Sequence, residues 1–106
     1  MAKYLIEASY TAEGLKGLVK DKASGRKTAV SGVIKKAGGK LEAMYYSLGE
    51  YDVVLIADMP DNASVAAISA AVGATGAVRL KSTALLTIEE MDEALSKPVA
   101  YRAPGT

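Results

Sequence analysis

Polar and apolar residues alternate in three stretches of the chain, a fourth is continuously apolar and three others fall into helical spacing, and the order of these patterns predicts the architecture. From Lys3 to Tyr10, the residues Tyr4, Ile6, Ala8 and Tyr10 lie on one face and Leu5, Glu7 and Ser9 on the other, the period-two signature of a half-buried strand. Thr11 is a good N-cap. Beyond it Leu15, Leu18 and Val19, then Ala29, Val30, Val33, Ile34 and Ala37, recur at helical spacing, which predicts one long helix or two segments kinked near Ser24-Gly25. Gly38-Gly39 ends it, because glycine accepts the left-handed conformation at a helix C-terminus.

Lys40 to Leu48 is the second strand, with Leu41, Ala43 and Tyr45 opposite Glu42, Met44 and Tyr46, and Gly49-Glu50 makes the hairpin turn. Asp52 to Met59 is apolar on both faces, which argues for a central strand. Pro60-Asp61-Asn62 stops it, with Asn62 placed to cap a second helix whose stripe is Val65, Ile68, Ala71 and Val72. Ala77 to Leu86 alternates again, with Val78, Leu80, Ser82 and Ala84 against Arg79, Lys81, Thr83 and Leu85. Thr87-Ile88-Glu89-Glu90 is a capping box opening a short helix to about Ser96, with Met91 and Leu95 expected inward. Residues 97–106 are expected to form a loose tail.

The resulting order, β-α-β, turn, β-α-β and a last helix, implies an α+β ferredoxin-like sandwich with a four-stranded antiparallel sheet and an added C-terminal helix. At 106 residues and 50% apolar composition the chain is expected to be a single domain with one core. Thirteen basic against twelve acidic residues leave a net charge of +1, which argues against nucleic acid or an anionic membrane as partner. Cysteine and histidine are both absent. That removes disulfides, thiol nucleophiles, Ser-His-Asp arrangements and the usual ligands of zinc, copper, nickel and haem iron, and leaves a hard cation held by carboxylates or no metal; the expectation is no metal and no cofactor. No apolar run suggests a signal peptide or membrane span, and a cytoplasmic location is the expectation.

The run Gly49-Glu50-Tyr51-Asp52, followed by the strand Val53 to Ala57 and by Pro60-Asp61, resembles the glycine-tyrosine-aspartate turn of the GYD domain family. The likeness extends to Tyr4-Leu5-Ile6, to Gly38-Gly39-Lys40-Leu41-Glu42 and to Leu85-Leu86-Thr87, and covers about residues 3 to 96. It implies a ferredoxin-like fold commonly paired as a dimeric α/β barrel, in a family whose biochemical role is largely unassigned. It supplies no catalytic residue.

Three constellations carry candidate chemistry. The turn Gly49, Tyr51 and Asp52 presents a phenol and a carboxylate, although glycine with a positive φ and an aspartate holding nearby backbone amides explain it as a purely geometric device. A polar set, Glu7 and Ser9, Glu42 and Tyr46, Arg79, Lys81 and Thr83, joined by Asp58, is expected to share the sheet face that the helices leave open. From it Glu7, Tyr46, Asp58, Arg79 and Lys81 are the candidate ligand-binding residues; cross-strand pairing on a hydrated dimer face is the structural alternative. The cations Lys16, Lys20, Lys22, Arg26, Lys27, Lys35 and Lys36 read as a solvated helix face.

The sequence therefore predicts a homo-oligomeric domain that binds a small ligand or a partner through its open sheet face. A rival from another class is a cofactor-independent monooxygenase-like enzyme acting on a small aromatic or enolisable substrate between sheet and helices, with Asp58 or Glu7 as base and Arg79 or Lys81 as anion stabiliser. A third, an intersubunit regulatory module like the trimeric nitrogen-signalling proteins, lacks their nucleotide-contacting loop.

Overall fold

The computed structural model describes every residue from Met1 to Thr106. Its elements follow the order β1 (Ala2–Tyr10), α1 (Ala12–Lys36), β2 (Lys40–Tyr46), β3 (Val53–Met59), α2 (Asn62–Gly73), β4 (Val78–Leu85) and α3 (Ile88–Ser96). The four strands form one antiparallel sheet in the order β2-β3-β1-β4, the ferredoxin-like arrangement. As its two-sided apolar pattern implies, β3 is central, paired with both β1 and β2.

Register sorts the side chains. Tyr4 faces Ala57 and Ile6 faces Leu55 across β1 and β3, and these four are buried beneath α1 and α2 together with Met59, Ile34 and Val65. The Tyr4 hydroxyl, which burial would otherwise strand, donates to Asn62 Oδ1. Asp61, not Asn62, caps α2, its side chain accepting from the Ser64 amide at 2.8 Å. Asn62 is left to receive the tyrosine.

Helix α1 is broken at Lys22, where φ is 65° and ψ 166°, just before the Ser24-Gly25 pair near which a kink was expected. Its first turn sits hard against the α2–β4 loop: Thr11 caps it by accepting from the Gly14 amide, and the Thr11 amide donates to the Ala77 carbonyl at 2.9 Å. Gly14 is buried there, and the position needs glycine because a Cβ would overlap that carbonyl oxygen. Gly38, at φ 87°, turns the chain out of α1 as predicted.

Two further expectations fail here. Strand β2 carries a bulge between Leu41 and Ala43, so Ala43 pairs with Ile56 and Met44 with Leu55. One extra residue inverts the phase, and Met44 and Tyr46 turn to the helix side while Ala43 and Tyr45 turn away. The second failure is α3: Met91 and Leu95 point outward, 44% and 71% exposed, and no residue of the helix is buried.

The chain is unusually open. Only 10 of 106 residues are buried, and the accessible surface is 7442 Å². A folded monomer of this mass exposes about 5,600 Å², so roughly 1,800 Å² more than usual lies in solvent. The radius of gyration, 17.0 Å, also exceeds the value of about 13 Å for a compact chain of this length.

Candidate functional site

The sheet has two faces, and the sequence-predicted residues divide between them. On the open face β1 contributes Lys3, Leu5, Glu7 and Ser9, whose partners on β4 are Leu85, Thr83, Lys81 and Arg79. Glu7, Arg79 and Lys81 therefore share this face, and Asp58 joins it opposite Lys3. Lys3 Nζ donates to Glu42 Oε2 at 2.7 Å and to Asp58 Oδ1 at 2.9 Å. Those two hydrogen bonds, Glu42's first, push the ammonium up to about 12. Asp58 is thus engaged in a structural ion pair, whereas Glu7, Arg79 and Lys81 take part in none. Between the charged ends runs an apolar band: Leu5, Val54, Ile56 and Ala43 are half-buried, and Tyr45 is 72% exposed.

Tyr46 does not belong to this face. The bulge in β2 sends it to the helix side, where its ring stacks on Tyr10 at 6.5 Å between centroids and 7° between planes. The two hydroxyls are 3.1 Å apart. Burial, and secondarily the Tyr10 hydroxyl, raise the Tyr46 phenol well above its ordinary value, with Arg26 opposing weakly, so it serves as a neutral hydrogen-bonding group.

Beside this pair a cavity of about 110 Å³ opens between the sheet and the two long helices. Of its fifteen lining residues only Arg26 and Ser69 are not apolar; Val30, Ile34, Met44, Leu55 and Ile68 form much of the wall. It adjoins a wider, more polar recess of about 390 Å³ that includes Glu13, Gly17, Asp21 and Thr75. Tyr10, Arg26, Val33, Val72 and Val78 line both. Arg26 Nη1 lies 3.6 Å from Asp21 Oδ2, a long pairing across the break at Lys22 that leaves most of the guanidinium donors unengaged.

Arg26 and Tyr10 were missed as candidates. Both signals were present: Arg26 stands four residues before Val30 and eight before Ile34, on the buried stripe of α1, and Tyr10 continues the inward series of β1. The proposed bases and anion holders Glu7, Asp58, Arg79 and Lys81 lie on the opposite side of the sheet from this cavity, so it contains none of them.

The turn is built as a clasp. Asp52 Oδ2 accepts from the Tyr10 amide at 2.8 Å, its own amide donates to the Ala8 carbonyl at 2.9 Å, and its carbonyl accepts from the Ser47 amide at 2.8 Å. One residue therefore joins the hairpin to the end of β1 and fixes Tyr10 over the cavity. Gly49 is not at a positive φ, contrary to expectation; the loop spans six residues, Ser47 to Asp52, and this length removes the need for a tight turn. Tyr51 is half-buried in the same loop.

These features define a ferredoxin-like α+β domain with one face of its sheet roofed by helices over a cavity and the other bare. The GYD domain model matches residues 4–95, and the chain belongs to the GYD domain family. No curated protein and no solved structure matches it. No helix is long and apolar enough to cross a membrane.

Proposed function

We propose that this protein is a homo-oligomeric binding domain in which two copies pair through their open sheet faces. Each then takes a small, largely apolar ligand bearing one anionic or hydrogen-bond-accepting group into its helix-side cavity. The observation that carries the reading is the placement of Arg26, with Tyr10 and Ser69, on a cavity otherwise wholly apolar. Apolar walls with a few convergent polar groups are the usual composition of small-molecule sites. An apolar cavity of about 150 Å³ accommodates benzene; the inner space, at about 110 Å³, is smaller, so a ring would share it with the adjoining recess, which is open to a polar substituent. The open face suits a different task. Its apolar centre and charged ends have the layout of an association surface.

Binding is favoured over catalysis by the chemistry of the lining. A cofactor-independent oxygenase needs a base to deprotonate its substrate, and the inner cavity holds no carboxylate. Of the two carboxylates in the adjoining recess, Asp21 faces Arg26 and Glu13 is paired with Lys16 at 3.4 Å.

Thermal shift with benzoate and with benzyl alcohol tests the reading. Benzoate is expected to raise the melting temperature by mass action, the neutral alcohol less so. Arg26→Ala should remove the difference between the two, and Ile68→Trp, which fills the space, should remove both shifts. Equal benzoate shifts in the wild type and in Ile68→Trp would refute the cavity as the site.

A further inference from the structure

Helix α3 has the pattern of a packed element and the surroundings of an unpacked one. Ile88, Met91 and Leu95 recur on one face at helical spacing and are 77%, 44% and 71% exposed, and Leu86, Val99 and Tyr101 on either side are 64%, 81% and 78% exposed. The helix is nine residues long. Such a segment is marginal alone in water even with its Thr87–Glu90 capping box complete, so its helical state calls for a surface to lie on.

We propose that this arm seats its apolar face on a second copy of the chain, an exchange that rests on the pairing of open sheet faces and extends it. Continuity supports this occupant. The arm leaves directly from Leu85, the last residue of edge strand β4, whose register partner Lys3 lies on the open face. Two copies laid face to face bring each arm to the rim of the other.

Charge supports it too. Residues 1–87 carry eleven basic and eight acidic side chains, a net +3, while α3 carries Glu89, Glu90, Asp92 and Glu93 and no base, a net −4. Arg79 and Lys81 are exposed on the open face of edge strand β4 and take part in no ion pair, so a partner's acidic helix finds free cations there. An acidic polar face is equally a poor match for an anionic lipid surface. The exposed area in excess of an ordinary monomer is large enough for both a sheet-face contact and an arm.

Because the chain has no cysteine, a nitroxide placed through Glu93→Cys marks the acidic side of the arm alone. Spin-labelled, unlabelled-nitrogen chain is mixed with ¹⁵N wild-type chain, so that only relaxation arriving from another copy is seen. Broadening of wild-type amides around Arg79 and Lys81 is the expected result. Broadening confined to the labelled chain itself, measured with ¹⁵N in that chain and excess unlabelled wild type, would show the arm folded on its own body and overturn the proposal; so would none in either sample.

The double variant Ile88→Asp/Leu95→Asp, altered only at exposed positions, should weaken self-association at least about 100-fold. A dimer of unchanged affinity would refute the arm while leaving sheet-face pairing intact. A wild-type chain that stays monomeric would overturn both.

Discussion

Replacing Lys22 by glycine should stabilise this protein, although it puts the poorest non-proline helix former inside the longest helix. Lys22 is the one non-glycine residue with positive φ, and at φ 65°, ψ 166° it occupies a region populated almost only by glycine. Holding a side chain there costs about 1–3 kcal/mol. Glycine removes that strain and adds about 0.5–1 kcal/mol of unfolded-chain entropy to be lost on folding. The lysine side chain is exposed and unpaired, so no packing is forfeited. The net gain is about 1 kcal/mol, equivalent to some 4–8 °C in melting temperature for a domain of this size. Urea unfolding at fixed protein concentration measures it, with Lys20→Gly, two residues earlier in regular helix, as control. The control should lose up to about 1 kcal/mol. If both variants lose stability alike, the break at Lys22 is not strained and α1 runs through it.

Gly14→Ala should destabilise by about 2–4 kcal/mol in the same assay, because the new methyl overlaps the Ala77 carbonyl and lifting the helix breaks the Thr11 bonds to that loop; Gly17→Ala, with nothing nearby, should be neutral or stabilising. Asp61 and Glu90 are both held below their ordinary values of 3.8 and 4.5 by the capping bonds they accept from Ser64 and Thr87. A carboxylate depressed in the folded state contributes stability above its unfolded pKa and loses it as pH falls through the folded one, so the urea midpoint should drop progressively below about pH 4.5. Asp61→Asn/Glu90→Gln should flatten that drop; an unchanged slope would contradict the capping roles. In an absorbance titration Tyr46→Phe should delete the last tyrosine to ionise, since its phenol is raised by burial and by Tyr10; loss of an early one would be contrary.

Much of the fold was legible in the amino-acid sequence because β1 and the first half of β4 alternate and β3 is apolar on both faces, and a strand's side-chain period leaves only two choices of face. Glu7, Arg79 and Lys81 were assigned to the open face on that basis alone. Strand β2 defeated the method at one residue: a bulge at Glu42 has no marker such as glycine, and everything after it changes side, Tyr46 included. The cavity was hidden for a related reason. Arg26 was grouped with neighbouring lysines by charge although its spacing from Val30 and Ile34 put it on the buried stripe. Close backbone approach at Gly14 leaves no trace in a single sequence. For α3 the apolar face was read correctly, and only its neighbour was misplaced: periodicity shows that a face seeks cover, not which molecule supplies it.

Sedimentation equilibrium of the full chain over a wide concentration range bears most directly on whether the bare sheet face is half of an interface. The expected mass is twice the 11.0 kDa of one chain, with Ile56→Asp, which sets an unpaired carboxylate at the centre of that face beside Leu5 and Val54, reduced to the single-chain value while remaining folded. A wild-type chain sedimenting at 11.0 kDa at every concentration, or an Ile56→Asp variant that associates as the wild type does, would contradict it.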